Sequence, residues 1–445
     1  MKKQIDMVNG NLISGMIRFS LPLILSSLLQ IFYNMADTFI VGVYDDPLSM
    51  GAVSASGTVV GCVVNVFLGI AVGVNILAAR SFGAGDTNSV KEYGKTAISL
   101  SLIFGIVFFI FGHIITEPLL ELIGIDPQIR GKTITYIRVY LLGVPFSALY
   151  NFISSYLRGL GETTYPTVTL IISGAVNVIL NVIFVKYCRM GVAGVALATA
   201  ISTFLSFIMI FIYYLKHPYG SRIRDINLNK NTAKKIITLG LPTGLQSLIA
   251  IISCNFGTAA INTFGAAALA GEAIQLQMES LLSVGFAGLN AAVVTFVSQN
   301  VGAGNYKRLD TIYRVSFATG IIYALLGSLI AYSLRYPFVD MFAYGDKEVT
   351  MYALIKINCI ILPYVVVSLL HIPSGMLRGI GGTFEAMLLS VGGCIYRICW
   401  ILLLFPLPTF HTIEFIFISY PIEWIVSGII SAILYNNKKK KLLTT

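Results

Sequence analysis

The sequence predicts an all-α integral membrane protein with twelve transmembrane helices in two parallel six-helix lobes. Three observations carry the prediction: continuous apolar runs of span length, landmarks that recur about 220 residues apart, and basic residues gathered in alternate connections.

The apolar runs come first. Of 445 residues, 56% are hydrophobic and only 11% charged, whereas a soluble domain carries about 25% charged residues. Many runs exceed the ~20 residues that cross hydrocarbon. They are continuous and do not alternate, which excludes a barrel. Spans are expected at 15–43, 50–78, 95–115, 134–157, 165–186, 191–215, 236–262, 268–298, 314–335, 351–376, 386–406 and 412–435. The first is too long for a removed signal peptide and has no small-residue cleavage site. The six cysteines (Cys62, Cys188, Cys254, Cys359, Cys394, Cys399) stand singly, without zinc or redox spacing. They read as small core residues.

Charge placement orients the chain. With a cytoplasmic N-terminus, the inner segments are the two termini, 79–95, 158–164, 216–235, 299–314 and 377–385. Counted with the inner helix ends, they hold 21 of the 30 Lys and Arg. The opposite connections hold Arg130, Lys132, Arg138, Lys186, Arg189, Arg335, Lys347 and Lys356, and Arg397 lies within a span. This is the positive-inside bias. The net charge of +10 is therefore topological and implies no nucleic-acid partner. The run Lys438–Lys441 reads as a membrane anchor.

The repeat sets the domain plan. Leu21-Pro22 matches Leu241-Pro242, Gly83-Ala84-Gly85 matches Gly302-Ala303-Gly304, and Arg158-Gly159-Leu160-Gly161 matches Arg378-Gly379-Ile380-Gly381. Six helices per half is an even number, so the halves are parallel repeats, an arrangement found among transporters. The expected units are an N-lobe at 1–215, a cytoplasmic linker at 216–235, and a C-lobe at 236–445. The Gly-Ala-Gly turns read as helix stops. Pro22 and Pro242 are expected to shape helix starts or kinks, and Pro145 and Pro363 to permit bending.

One copy carries a residue that the other lacks. Asp37 lies in the first span, and the helix that begins at Leu241-Pro242 has no carboxylate at the matching place. A carboxylate inside a span is costly and defaults to function. Gln30, Asn34 and Asp37 fall at i, i+4 and i+7 on one helix face, and Asn177 and Asn181 at i and i+4 on another. Asp37 and Asn181 share a depth, toward the outer ends of their spans.

These residues resemble the multidrug and toxic compound extrusion (MATE) family over nearly the whole chain. The resemblance rests on the two Leu-Pro starts, Asn34-Met35-Ala36-Asp37-Thr38, the Gly-Ala-Gly and Arg-Gly-x-Gly turns, and Thr295-Phe296-Val297-Ser298-Gln299. The pattern around Arg397 is closer to the DinF-like and staphylococcal-type branch than to the NorM branch. The resemblance implies a V-shaped exporter of organic cations and drugs, driven by inward proton or sodium flow. It also implies a monomer of the bacterial cytoplasmic membrane with both termini inside, and no cofactor beyond the coupling ion. Carried over, the ion site is Asp37 with Gln30, Asn34, Tyr136, Asn177 and Asn181, and sodium is possible at Asp37, Asn177 and Asn181. The chain departs from the family where relatives place acids, at Asn181, Ala250 and Val367.

Burial favours the neutral form of a carboxylate. Gaining a proton turns Asp37 from acceptor to donor, which can bias two helix packings. Adaptable apolar walls with a few acids suit bulky cations. The substrate-cavity candidates are Glu279, Gln275, Met278 and His371. His371 also reads as a satisfied core histidine, and Arg397 as a counter-charge to Glu279 or Glu423. Glu423 reads as an acid near Pro421 that reaches water, and Glu272 lies near the outer end of its span.

Other functions fit less well. Tyr44-Asp45 and Gly83-Ala84-Gly85-Asp86 mimic an intramembrane aspartyl protease, but the topology puts the two acids on opposite sides. No HExxH, GxSxG or P-loop is present, so the chain is not expected to be an enzyme. A flippase for lipid-linked precursors would need an arginine-rich cavity. Export of an endogenous metabolite stays open beside drug export.

Overall fold

A computed structural model describes residues 5–444. The described residues form helices and turns, with no strand. In chain order the α-helices are α1 (Leu12–Tyr44), α2 (Pro47–Gly83), α3 (Thr87–Ile123), α4 (Pro127–Leu141), α5 (Val144–Gly159), α6 (Thr164–Asn181), α7 (Gly191–Lys216) and α8 (Lys230–Asn262). They continue with α9 (Ala266–Gly302), α10 (Arg308–Ser333), α11 (Arg335–Ala343), α12 (Lys347–Ile360), α13 (Val367–Gly379), α14 (Thr383–Cys399) and α15 (Ile413–Thr444). Eleven elements are long and apolar enough to cross a membrane; α4 and α5, bent by 49°, make twelve as one broken span. Every expected span is matched, and most helices run past the apolar stretch at both ends. The break before Pro145, and the 3₁₀ turn Leu362–Val366 that joins α12 to α13 around Pro363, are the two bends expected from those prolines. Pro22 and Pro242 lie inside α1 and α8.

The repeat extends to single hydrogen bonds. After α2, Asp86 N–H donates to Ser81 O; after α9, Asn305 N–H donates to Asn300 O. Glu162 N–H to Leu157 O is repeated by Gly382 N–H to Leu377 O. Each turn needs a left-handed glycine: Gly85 and Gly304 have φ of 72° and 69°, Gly161 and Gly381 of 89° and 90°. Only glycine adopts that conformation without penalty. Both α6 and α14 end in a π-helical turn, Val182–Tyr187 and Trp400–Leu404. The outer helices match as well: Leu102, Ile106 and Ile110 on α3, and Ile322, Leu326 and Ile330 on α10, are large, apolar and exposed. Such stripes suit lipid.

The described residues divide into two compact units, one built on Leu21–Gly244 and the other on Asp6–Ser20 with the residues from Leu245 onward. The division runs through α1 and α8, just before Pro22 and just after Pro242, and not through the expected linker at 216–235. In the first unit, the start of α8 is received by α2 with backbones nearly touching. A Cβ on Gly240 would lie 2.4 Å from the Ile70 carbonyl oxygen, and one on Gly73 would lie 2.3 Å from that of Ile236. In the second unit, the start of α1 buries Met16 and Phe19. Phe19 meets Phe296 edge-on at 6.3 Å, and Asn300 Nδ2 donates to Met7 O at 3.0 Å.

Candidate functional site

Asp37 is 7% exposed, on the part of α1 that belongs to the first unit. Its neighbours come from α6 and α7. Asn181, the last residue of α6 before the π turn, donates from Nδ2 to Asp37 Oδ1 at 2.5 Å and to Asn177 Oδ1 at 3.2 Å. Thr199 of α7 lies 3.5 Å from Asp37 Oδ2 and receives a bond from Asn177 Nδ2 at 3.3 Å. These four side chains close a ring. Thr199 has one proton and two acceptors in reach, Asp37 Oδ2 and the Val195 carbonyl at 3.0 Å, so Oδ2 is the less firmly held oxygen. Asn181 is fully buried, and its Oδ1 has no hydrogen-bond donor among the described residues. None of the ion pairs among the described residues involves Asp37. Tyr136 is buried and stacks on Tyr140 at 6.1 Å, within electrostatic range of Asp37 but with no hydrogen bond to it among the described residues.

The expected set is thus gathered in part. Asp37, Asn177 and Asn181 are joined, with Tyr136 beside them. Gln30 and Asn34 are exposed, and no hydrogen bond connects either to Asp37 among the described residues. α6 runs along α1 at this depth too, with Thr167 Oγ1 donating to Pro22 O at 3.0 Å and Tyr33 OH to Ile171 O at 3.3 Å, but Gln30 and Asn34 lie off that contact. Thr199 was not foreseen. A threonine among the small residues of Gly191–Ala200 has no distinguishing pattern of its own.

The second unit has no such ring. Its buried acids are paired with cations. Lys356 of α12 is 1% exposed, and its Nζ lies 3.3 Å from Glu272 Oε1. Arg397 of α14 meets Glu423 of α15 at 3.2 Å and lies 4.1 Å over the Tyr420 ring. Glu423 also accepts from Ser427 Oγ at 3.2 Å. Gly393 makes room for it, because a Cβ there would stand 2.3 Å from Glu423 Oε1. Two expectations are corrected here. Lys356 is not a connection residue but lies deep in a helix, because α12 begins at Lys347, and Glu423 is buried instead of reaching water. Of the two partners expected for Arg397, Glu423 is the one observed.

Gln275 Nε2 donates to Glu279 Oε2 at 3.0 Å; Gln275 and Met278 are buried, and Glu279 is partly so. His371 stacks on Phe286 at 5.4 Å, and its carbonyl accepts from Asn290 at 2.7 Å, which is core packing. The reading of the cysteines as core residues holds for Cys394. Cys359 is half-buried, and Cys188, Cys254 and Cys399 are exposed, so the core reading does not hold for those three. The Cys62 side chain lies outside the described residues. Asp86 caps α3 by accepting from Ser89 N at 3.0 Å. The Ser89 hydroxyl, followed by the Ser89 backbone N–H, holds its carboxyl below the usual range. It is a helix cap and not half of a catalytic pair.

Chemically, the first unit presents one buried carboxylate held by neutral donors, with an oxygen acceptor beside it that lacks a donor. A proton or a small hard cation would complete both.

Comparison with known proteins follows the repeat. The family model described as MatE matches residues 22–183 and again 242–401. The chain is similar to the probable multidrug resistance protein YoeA of Bacillus subtilis (strain 168), 25% identical over 383 residues, covering 84% of this chain and 82% of that protein. It is also similar to the multidrug export protein MepA of Staphylococcus aureus (strain NCTC 8325 / PS 47), 24% identical over 387 residues, covering 85% and 81%. A solved structure of a MATE protein in its bent conformation shares the fold, with a TM-score of 0.92 at 22% identity over 100% of this chain and 99% of that one.

Proposed function

The chain belongs to the MatE family of membrane transporters, and from that premise we propose that it is a secondary active multidrug exporter whose coupling ion acts at Asp37. Cargo would be bulky organic cations, moved out across a bacterial cytoplasmic membrane by alternating access against inward flow of protons or sodium. The multidrug-named bacterial relatives support the cargo class.

The observation that carries the coupling reading is the orphan acceptor Asn181 Oδ1 beside a buried carboxylate with no counter-charge. With Asp37 ionised, Asn181 Nδ2 satisfies Oδ1, and Thr199 divides its proton between Oδ2 and the Val195 carbonyl. A proton arriving on Asp37 removes the buried charge and supplies the O–H that Asn181 Oδ1 lacks. The acid and the amide would then be joined by two hydrogen bonds. That arrangement draws α1 and α6 together differently from the ionised one, and a two-state packing of those helices would transmit the change. Sodium would do the same by coordination to Asp37, Asn181 Oδ1 and Thr199 Oγ1, all hard oxygen ligands. Gln30 and Asn34 have no part in the ionised ring, although either could line the ion's approach.

The test is ethidium efflux from proteoliposomes, driven in turn by a pH gradient and by a sodium gradient, with wild type beside Asp37→Asn. Coupled efflux in wild type and none in the variant supports the reading. Equal efflux in both removes it, and the gradient that drives wild type names the ion. A lipid-linked precursor flippase is the weaker alternative, because Lys356 and Arg397, the buried cations among the described residues of the second unit, are each held by a glutamate and are not free for a diphosphate.

A further inference from the structure

The second unit carries a row of oxygen groups on one face of α9. Glu272, Gln275 and Glu279 fall at i, i+3 and i+7. Only one described cation stands against this row, the Lys356 ammonium, 3.3 Å from Glu272 Oε1. It is held on another side by the face of Phe417 of α15, 5.4 Å from the ring centroid. The helices meet closely beside the pair: a Cβ on Gly271 would lie 2.7 Å from Ala353 N and 2.8 Å from Tyr352 Cβ. One turn along, Gln275 is fully buried. Its amide nitrogen is engaged by Glu279, and its Oε1 has no donor among the described residues. The row therefore offers two carboxylates and an unfilled amide oxygen to a single positive charge.

We propose that Lys356 is a resident cation, tethered to the chain, that occupies an oxygen site which would otherwise take a small monovalent cation such as sodium. An ammonium and a sodium ion carry the same charge and seek the same oxygen ligands. The ammonium differs in being delivered by covalent attachment and in having no route of departure. Glu272 is then permanently compensated, Gln275 Oε1 and Glu279 are the remaining ligands of the closed site, and the second unit exchanges no ion at this place. A plain structural ion pair would leave a lone carboxylate once the lysine is gone, with no further oxygens placed to complete a saturable sodium site. The proposal rests on the second unit alone and does not depend on Asp37.

The experiment neutralises the first unit in every arm, so that the two readings fail separately. Asp37→Asn protein is purified with and without Lys356→Met, and melting is followed in sodium chloride against N-methylglucamine chloride at equal ionic strength. The expected result is a saturable sodium-dependent rise of several degrees in the Lys356→Met protein. The rise is absent when Lys356 is present and lost again when Glu272→Gln is added. A folded Lys356→Met protein indifferent to sodium overturns the proposal, as does a sodium response with Lys356 in place that Glu272→Gln removes. If Lys356→Met lowers the yield of monodisperse protein, purification in the two salts becomes the measurement. Recovery in sodium alone supports the proposal, and equal loss in both salts overturns it.

Discussion

The two units handle buried acid in opposite ways. In the first, Asp37 closes a ring with two asparagines and a threonine, and no cation is bonded to it among the described residues. In the second, Glu272 and Glu423 each face a buried cation. An acid among neutral donors can give up its charge without stranding a partner. An acid beside a buried ammonium or guanidinium cannot, because neutralising it leaves an uncompensated cation in a low-dielectric interior. The same helical framework, repeated down to matching turn hydrogen bonds, thus holds one buried acid among neutral donors and two beside buried cations.

The widest difference is expected from the acids themselves. Glu423→Gln leaves Arg397 buried without its carboxylate and should destabilise the second unit by about 3–5 kcal/mol. The double variant with Arg397→Met should recover most of the loss, as a double-mutant cycle in thermal melting would show. Asp37→Asn should do the reverse: it keeps the fold, because an amide can stand in for a neutral acid, and it removes ion-driven efflux. If both substitutions unfold the protein equally, the contrast between the units is wrong.

Next comes Thr199→Val, which deletes one shared hydrogen bond to Asp37. The expected cost is about 0.5–1.5 kcal/mol of ion-site energy, seen as a several-fold weaker dependence of efflux on the driving ion. No change would show that Asn181 alone holds the carboxylate.

The smallest effect lies outside the membrane-spanning helices. Asp46 caps α2 and bonds Lys132 at 2.5 Å. The Lys132 hydrogen bond, followed by the Ser49 backbone bond, holds its carboxyl below the usual range. A carboxyl lowered in the folded state contributes stability above its unfolded value of about 3.9, and that contribution is lost as pH falls through the lower folded value. Asp46→Asn should therefore melt slightly below wild type at neutral pH, and the gap should close in acid. A constant gap would assign the effect to packing.

The spans, the repeat and the glycine turns were legible in the sequence because each rests on a local pattern: span length, matched landmarks and φ > 0. Asp37 was legible because a charge in an apolar run is conspicuous. Asn177 and Asn181 followed from helix periodicity and family resemblance. Thr199 was not, since its role depends on α7 reaching α1, a tertiary fact. Lys356 was visible but placed with the connections, because the expected span began only a few residues before it. The extra turn of α12 turns an apparent flanking charge into a buried one. Gln30 and Asn34 failed because periodicity gives only an approximate helix face: α6 packs on Tyr33 at their depth and leaves both exposed.

The exchange of helix ends between the units bears on how the chain is built. The first unit includes residues up to Gly244, so its core stays open until the opening turns of α8 have been made, well after α7 is complete. The second unit needs Asp6–Ser20, which precede the body of the first unit in the chain and must wait for the helices that follow Gly244. Neither half is therefore a finished folding unit when the connection at 216–235 emerges, and insertion of the two halves is interlocked in time. A chain ended just before α8 should remain protease-sensitive, and one extended past Gly244 should close its first unit.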